Sequence, residues 1–393
     1  MQPGPTTDGK KVSVEICSVR RQWVRYGVAG IAASAAGWAA TGNAAESDAL
    51  VVTQVIDMSP QQQDVSRDFV AGSKAAWQTF NTKGGLRGKK VQHVVVETDG
   101  SSAAVKNAWN AAVADPRCIA ISGSVGSTVS EQLSALQVST AGGKALPIVA
   151  PWLHNPADNS SREGVFDIFA GQQQQIEFAV RSLAIMGVPR VVTIFSSALY
   201  EQQSRRQVEK AASATRIAVD YVPAAKLSQG GYKYQPDVPV ILFLGGTLEL
   251  HEFITKMAMP AGRQCYVIAL ADVNLQVLAQ MSKIPSQISV VATQVVPPVT
   301  SGTTVVREYR DALSRLFEEE PTPQGLAGFI AAKFTEAAIA RSAQPWSRSS
   351  LLATLRRQED SDLGGFNVLF NKGMRISQYV TQTVIARDGR VLR

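Results

Sequence analysis

Two patterns of apolar positions alternate along most of the chain. Short runs rich in β-branched residues, such as residues 50–56, predict strands. Between them, apolar residues three or four apart, as from residue 65 to residue 80, predict one buried face of a helix. Further strands are predicted at 91–97, 118–122, 146–149, 190–195, 217–222, 238–244, 264–270 and 288–296, with a terminal hairpin formed by 366–370 and 379–386. Strands separated by helices predict an α/β fold with parallel, doubly wound sheets.

The alternation is interrupted at three places, which indicate passages of the chain between two lobes. The 348 residues that follow residue 45 exceed one ordinary hydrophobic core. An irregular segment at 151–170 predicts the first passage, Pro297-Pro298 the second and Gly364-Gly365 the third. The predicted lobes are 48–152 plus 298–364 and 153–297 plus 365–393.

The first 45 residues have the pattern of an export signal. Arg20, Arg21 and Arg25 precede an uncharged run rich in alanine and glycine, which ends in small residues near Ala45. The arginine pair also resembles a twin-arginine signal. The alternative is a membrane anchor, which alanine and glycine disfavour because they insert poorly into a bilayer. We therefore predict a periplasmic protein whose signal peptide is cleaved near Ala45.

Charge and cysteine usage narrow the range of functions. Removing residues 1–45, with five basic and two acidic side chains, lowers the net charge from +7 to +4. A charge this small and dispersed does not indicate nucleic-acid binding. Cys118 and Cys265 both fall in predicted strands, so two buried thiols are favoured over a disulfide. The sequence has no Cys/His cluster with zinc spacing, and we predict no metal and no cofactor.

Catalytic motifs are not evident. The sequence lacks a Gly-x-Ser-x-Gly elbow, and His251-Glu252 lacks the second histidine of a zinc-protease helix. No acid–base pair stands out, so we predict that the protein is not an enzyme.

A turn of small residues, 123–128, is the strongest candidate for a ligand contact. It follows the strand predicted at 118–122 and precedes a helix, so unpaired backbone N–H groups and hydroxyls collect at a helix N-terminus. Ligands of open α/β sheets bind beyond the carboxyl ends of the strands. The glycine spacing, G-x-x-G, matches neither a P-loop nor the dinucleotide fingerprint. The alternative is an ordinary turn that needs glycine and a helix cap.

Seven segments together resemble a known family. They are 69–76, 81–89, 123–128, 291–297, 308–310, 327–333 and 362–366. In their order and spacing the chain resembles the type I periplasmic binding proteins, in the branch with leucine/isoleucine/valine-binding and related solute-binding proteins of ABC importers. The resemblance covers about 48–393.

The resemblance implies a fold and a function. The fold would be two Rossmann-like lobes, with parallel doubly wound sheets, that are joined by a three-crossing hinge and close on a ligand. The function would be to capture a small molecule and deliver it to the membrane permease of an ABC importer, and we expect a monomer. The alternative is a ligand-sensing receptor or regulatory subunit built on the same fold.

The family's ligand positions transfer to several residues. The turn would place Ser124, Ser127 and Thr128 against a ligand carboxylate or another acceptor. The segment after Pro147 lacks the hydroxyls that family members present to an α-amino acid. It contains Trp152 and His154 instead.

Trp152, Tyr200 and His154 each allow two interpretations. Trp152 and Tyr200 would either sandwich a ring or pack at the hinge. His154 would be a ligand contact or a polar hinge residue.

The second predicted lobe contributes an acidic residue to the ligand site, and the residues of both lobes together indicate a class of ligand. Asp272 would bind a ligand ammonium or hydroxyl, or else cap the helix that begins at Asn274. The predicted ligand is a carboxylate or oxygenated compound with an apolar or aromatic body, rather than a simple aliphatic amino acid.

The export prediction is tested at the N-terminus. Protein recovered from the periplasm should begin within a few residues of Glu46, because the small residues before it form the cleavage site. N-terminal sequencing measures this directly. Periplasmic material that still begins at Met1 would contradict the prediction.

Overall fold

The computed structural model describes residues 49–140, 145–152, 164–227, 233–281, 284–371, 374–375, 379–385 and 391–392. These residues belong to one compact unit, Ala44–Arg393. The predicted export signal at 1–45 lies outside the described residues. No helix within the described residues is long and apolar enough to cross a membrane.

Strands and helices alternate as the sequence pattern predicts. The helices are α1 (Gln63–Thr82), α2 (Ser102–Ala114), α3 (Ser127–Ser139), α4 (Gln172–Ile185), α5 (Ala198–Thr215), α6 (Ala224–Leu227), α7 (Thr247–Thr255), α8 (Leu275–Met281), α9 (Thr304–Leu316), α10 (Pro323–Arg341) and α11 (Arg348–Arg356). The first ten strands are β1 (Leu50–Asp57), β2 (Val91–Thr98), β3 (Cys118–Ser122), β4 (Ile148–Val149), β5 (Val165–Phe166), β6 (Arg190–Phe195), β7 (Ala218–Val222), β8 (Val240–Leu244), β9 (Cys265–Ala269) and β10 (Ile288–Gln294). The last six are β11 (Ser361–Asp362), β12 (Asn367–Val368), β13 (Phe370–Asn371), β14 (Met374–Arg375), β15 (Thr381–Ile385) and β16 (Val391–Leu392).

Two sheets form the centres of the two lobes. The first has the strand order β2-β1-β3-β4-β5 and is parallel throughout. The second has the order β16-β15-β10-β9-β8-β6-β7, in which β15 and β16 are antiparallel to their neighbours. Every residue of β1 and of β8 is buried, because helices cover both faces of each sheet. The predicted two-lobed α/β fold is confirmed.

Strand pairing contradicts one of the predicted lobe boundaries. Strand β5 pairs with β4 in the first sheet, with Ile148 opposite Val165, so the boundary at 152/153 is too early. The boundary at 364/365 stays a prediction, because the first hydrophobic core, which buries Phe366 and Val368, also contains Ala271 and Val295. The predicted terminal hairpin is wrong as well, because β15 pairs with β10 and β16, and β12 pairs with β11. Short strands leave too little pattern to reveal their partners.

The cysteine prediction is confirmed. Cys118 begins β3 in the first sheet, and Cys265 begins β9 in the second. Both are free and buried. Burial raises the pKa of the Cys265 thiol to about 12, as an apolar environment does.

Helices α1 and α10 cross at backbone contact distance. A Cβ atom built on Gly72 of α1 would lie 1.7 Å from the carbonyl oxygen of Gly325. A Cβ atom on Gly328 of α10 would lie 1.9 Å from the carbonyl oxygen of Phe69. Ser73 Oγ, beside this crossing, lies 3.2 Å from the carbonyl of Gly328. The crossing therefore requires glycine on both helices.

We expect Gly72→Ala to lower the free energy of unfolding by about 2–3 kcal/mol, because overpacking against a backbone atom forces the helices apart. Gly302→Ala is the matched control, since a Cβ atom there meets nothing within 4 Å. Chemical denaturation of both variants measures the difference. Equal stability of the two variants would contradict the close crossing.

Candidate functional site

The two lobes meet along a cleft bordered by the N-terminal parts of helices on each side. Thr247 Oγ1, at the start of α7, donates a hydrogen bond to Asp64 of α1 over 2.7 Å. One turn further along α1, Asp68 accepts a hydrogen bond of 2.8 Å from Asn274 Nδ2. Gln203 of α5 donates to Glu131 of α3 over 3.3 Å. We call this region the interlobe cleft.

Thr247 connects these contacts. Its hydroxyl oxygen also accepts the backbone N–H of Asn274 over 2.9 Å, so it is both donor and acceptor. Burial raises the pKa of Asp68 to about 6, although the hydrogen bond from Asn274 opposes this shift. Burial likewise raises the pKa of Asp64, against the hydrogen bond from Thr247.

The predicted ligand turn, 123–128, lies on the first lobe at the carboxyl end of β3. Gly123 and Gly126 have φ values of 64° and 104°, in the region that favours glycine. A Cβ atom on Gly126 would lie 2.7 Å from Asp57 Cβ, and one on Gly123 would lie 2.9 Å from the Phe69 ring. Packing therefore accounts for both glycines without a ligand.

The three hydroxyl residues of this turn differ in their surroundings. Ser124 is fully buried, and its Oγ lies 3.4 Å from Ser130 Oγ. Ser127 and Thr128 are partly exposed and are the first two residues of α3. Gly126, at the N-cap, makes no side-chain cap bond, so the first N–H groups of α3 have no partner within the helix.

This end of α3 faces the second lobe. Ser127 lies one turn before Glu131, which contacts Gln203 across the cleft. The partial positive charge of the helix N-terminus therefore lies at the cleft, where an oxygen acceptor would be stabilised.

Trp152 lies in the first hydrophobic core. Its side chain is 1% exposed, and its ring packs edge-on against Phe69 and Phe169, with centroid distances of 5.6 and 5.3 Å. This corresponds to the packing alternative of the sequence prediction. His154 lies outside the described residues.

Tyr200 and Asp272 come together on the second lobe. Tyr200, in the first turn of α5, packs against the second-lobe core, and burial raises the pKa of its phenol. Asp272 follows β9, and its carboxyl makes no hydrogen bond to a described residue. Burial first, and then the nearby carboxyls of Asp64 and Glu249, raise the pKa of Asp272 to about 7.

Asp272 does not cap α8. Asn274 Oδ1 accepts the backbone N–H groups of Gln276 and Val277 over 3.2 Å each, which is the capping role. The helix-cap alternative for Asp272 is therefore wrong, and its carboxyl remains available to a ligand.

Sequence reasoning missed several cleft residues. They are Asp64, Asp68, Glu249, Asn274 and Gln324. Asp64 and Asp68 are one helical turn apart, so they share a face of α1. That spacing was a usable signal. The sequence contains no signal for the position of Glu249 near Asp64, because this position depends on how the two lobes meet.

A cavity of about 160 Å³ adjoins the cleft on the second lobe. Its polar lining comes from Ser196, Glu249, Glu252 and Lys256. Its apolar lining comes from Leu227, Tyr234, Phe243 and Phe253. A larger concavity of about 380 Å³ lies on the first lobe beside Trp77 and His93, away from the cleft. Within the described residues, no group of three or more His, Cys, Asp or Glu side chains could hold a metal ion.

Comparison with known proteins identifies the family. The sequence profile of the family described as "Periplasmic binding protein" matches residues 49–390. No curated protein matches the chain.

Solved structures with a similar fold include three solute-binding proteins or receptors. An extracellular ligand-binding receptor from Verminephrobacter eiseniae is 20% identical, with a TM-score of 0.72 over 88% of this chain and 100% of that one. A possible leucine/isoleucine/valine-binding protein from Rhodopirellula baltica is 17% identical, with a TM-score of 0.73 over 88% and 96%. A fatty acid ABC transporter substrate-binding protein from Thermomonospora curvata is 13% identical, with a TM-score of 0.69 over 88% and 90%.

The family match covers nearly all of the described residues, and the two sheets and the interlobe cleft agree with it. The chain therefore belongs to the periplasmic binding proteins, as a type I member related in fold to the leucine/isoleucine/valine-binding branch.

Proposed function

We propose that the protein is a periplasmic solute-binding protein that captures a small molecule between its two lobes and delivers it to the permease of an ABC importer. The observation that carries the proposal is the set of polar contacts across the interlobe cleft. They come from the N-terminal halves of α1 and α3 on one lobe and of α5 and α7 on the other. A ligand held there touches both lobes, so it stabilises the closed arrangement and is shielded from water.

The proposed ligand contacts are the partly exposed residues that border the cleft. Ser127 and Thr128 offer hydroxyls and helix N-terminal N–H groups from the first lobe. Tyr200 and Asp272 offer a phenol and a carboxyl from the second. Ser124, Trp152 and His154 stay predictions from the sequence.

The sequence predicts a carboxylate or oxygenated ligand with an apolar or aromatic body. The N-terminus of α3 supports an oxygen acceptor on the first-lobe side. On the second-lobe side, Glu249 and Asp272 disfavour a carboxylate and support a hydrogen-bond donor. One similar structure is described as a possible leucine/isoleucine/valine-binding protein and another as a fatty acid ABC transporter substrate-binding protein, so the similar structures do not select one ligand.

A ligand-sensing receptor is the second candidate. One similar structure is described as an extracellular ligand-binding receptor, and the same two-lobed closure serves sensing as well as transport. The predicted signal peptide is compatible with either role.

Closure is tested on the natural ligand. Small molecules released by heat from mildly purified protein are identified by mass spectrometry. They are then returned to protein that has been stripped by unfolding and refolding. We expect small-angle X-ray scattering to show a smaller radius of gyration with the compound than without it, because a ligand that touches both lobes favours the closed state. An unchanged radius at saturation would contradict capture by closure.

The contribution of the α3 N-terminus is tested by Ser127→Ala. We expect a five- to thirtyfold weaker affinity for the same compound, which corresponds to ~1–2 kcal/mol for one hydrogen bond. Ser139→Ala, at the far end of the same helix, is the matched control, because its Oγ bonds only locally to Leu136. Calorimetry that gives equal affinities for both variants would remove Ser127 from the site.

A further inference from the structure

Three carboxyl groups from both lobes converge in the interlobe cleft. Asp64 comes from α1 of the first lobe, and Glu249 and Asp272 come from the second. The carboxyls of Asp64 and Glu249 both act to raise the pKa of Asp272, and those of Asp272 and Glu249 act to raise the pKa of Tyr200. Among the described residues no cation opposes these two shifts.

Arg67 and Lys256 are cations that lie near other members of this group, and Lys256 lines the adjoining cavity together with Glu249 and Glu252. Arg67, which is exposed, lies near enough to lower the pKa of Asp64. The acids Glu252 and Asp64 both act to raise the pKa of Glu249. The charge at this point of the cleft is therefore negative and is not balanced by the side chains around Asp272.

A buried amide beside Asp272 independently lacks a donor. Gln324 of α10 is 1% exposed, and its Nε2 donates to the carbonyl oxygens of Ala271 and Val273, over 3.3 and 3.5 Å. These two carbonyls flank Asp272. Reversing the amide would place Oε1 against both carbonyls, so its orientation is determined by them. Gln324 Oε1 is buried and accepts no hydrogen bond from a described residue.

Glu249 also has a buried oxygen that accepts no hydrogen bond from the part of the chain that the structure describes. Its carboxyl lies near its own backbone N–H and that of Gly246, as an acid at the third helical position often does. Its Oε2 is nevertheless buried and has no hydrogen-bond partner among the described residues. An unpaired buried acceptor is costly, and more so when it is charged. The orphan groups of Glu249 and Gln324 are both acceptors, which points to a ligand that donates.

The adjoining cavity indicates the shape of the rest of the ligand. We call the carboxyl groups of Asp64, Glu249 and Asp272 the acid cluster. Glu249 belongs to this cluster and also lines the cavity of about 160 Å³. Phe243 and Phe253 lie in its lining, with ring centroids 5.4 Å apart. An apolar cavity of about 150 Å³ holds one benzene ring. The space beside the acid cluster is therefore the size of a single aromatic ring.

We propose that the cleft binds an arylalkylammonium ligand, with its cationic nitrogen among Asp64, Glu249 and Asp272 and its ring in the adjoining cavity. This rests on the proposed solute-binding function and specifies its ligand class. An ammonium group has three donors and no acceptor, which matches the acceptors that face it. The aromatic body predicted from the sequence is kept, and the predicted carboxylate is replaced by a cation.

Binding of such a ligand depends on pH. Without a cation, burial and the nearby carboxyls of Asp64 and Glu249 raise the pKa of Asp272 to about 7, so this carboxyl is partly protonated at neutral pH. A bound cation favours the charged carboxylates and therefore expels protons. Affinity should accordingly be highest above pH 7 and fall as the pH decreases below it.

Calorimetry on stripped protein tests the ligand class with phenethylamine, phenylacetate, 3-phenylpropanoate and phenylalanine as probes. At pH 8 we expect phenethylamine to bind at least tenfold more tightly than the two carboxylates. It should also bind more tightly than phenylalanine, whose carboxylate is carried on the same carbon as its ammonium and would lie against Glu249 and Asp272. At pH 5.5 the affinity for phenethylamine should be at least tenfold weaker than at pH 8. Titration in buffers of different ionisation enthalpy should show protons released on binding.

Substitutions of the acidic residues test where the ammonium group of phenethylamine binds. Asp272→Asn keeps the shape of the side chain and removes its charge, so we expect at least a tenfold loss of phenethylamine affinity and a weaker pH dependence. Glu249→Gln should act in the same direction and serves if the first variant fails to fold. Asp311→Asn, at an exposed position of α9, is the matched control and should bind as the parent protein does.

The outcomes separate the two proposals. Tighter binding of either carboxylate, or of phenylalanine, with compaction in scattering would overturn the cationic ligand and leave the solute-binding function intact. Phenethylamine affinity that Asp272→Asn and Glu249→Gln both leave unchanged would also overturn the assignment. Binding of none of the four probes would overturn the ligand class, and the function would then stand or fall on the compound that co-purifies with the protein.

Discussion

The backbone contact between α1 and α10 is the constraint on which the cleft depends. Gly72 and Gly325 allow these helices to cross with no side chain between them. The same two helices carry Asp64, Asp68 and Gln324, the first-lobe side chains that bond to the second lobe around Thr247, Asn274 and Asp272. A crossing that moved by the width of a methyl group would displace all three together, because a packed interior transmits strain.

The cleft is electrically asymmetric. The first lobe presents the N-terminus of α3, whose unpaired N–H groups carry partial positive charge. The second lobe presents Glu249 and Asp272, joined from the first by Asp64. An oxygen acceptor is therefore favoured at one end and a donor at the other. This asymmetry would orient a bound ligand more strongly than shape alone, since buried charges interact through a low dielectric.

Two buried acceptors at the cleft have no hydrogen-bond partner among the described residues. Thr247 and Asn274 each donate a side-chain hydrogen bond to the first lobe, whereas Glu249 Oε2 and Gln324 Oε1 are buried without a donor among the described residues. The hydrogen bonds of Thr247 and Asn274 hold the two lobes together. Glu249 Oε2 and Gln324 Oε1 would gain a hydrogen bond from a ligand that donates one. A ligand that satisfies groups from both lobes shifts the population towards the closed state, because only differential interaction moves such an equilibrium.

The sequence by itself determined the alternation of strands and helices, the two lobes and the glycine turn at 123–128, because these follow from local periodicity and from residues with special backbone freedom. It also determined the family, through segments in a characteristic order. Only the tertiary structure decided that β5 belongs to the first sheet and that Trp152 packs inside the first core. It likewise showed that Asn274, rather than Asp272, caps α8. The acid cluster was beyond reach of the sequence because Asp64, Glu249 and Asp272 are far apart in the chain, and their proximity arises only where the two lobes meet.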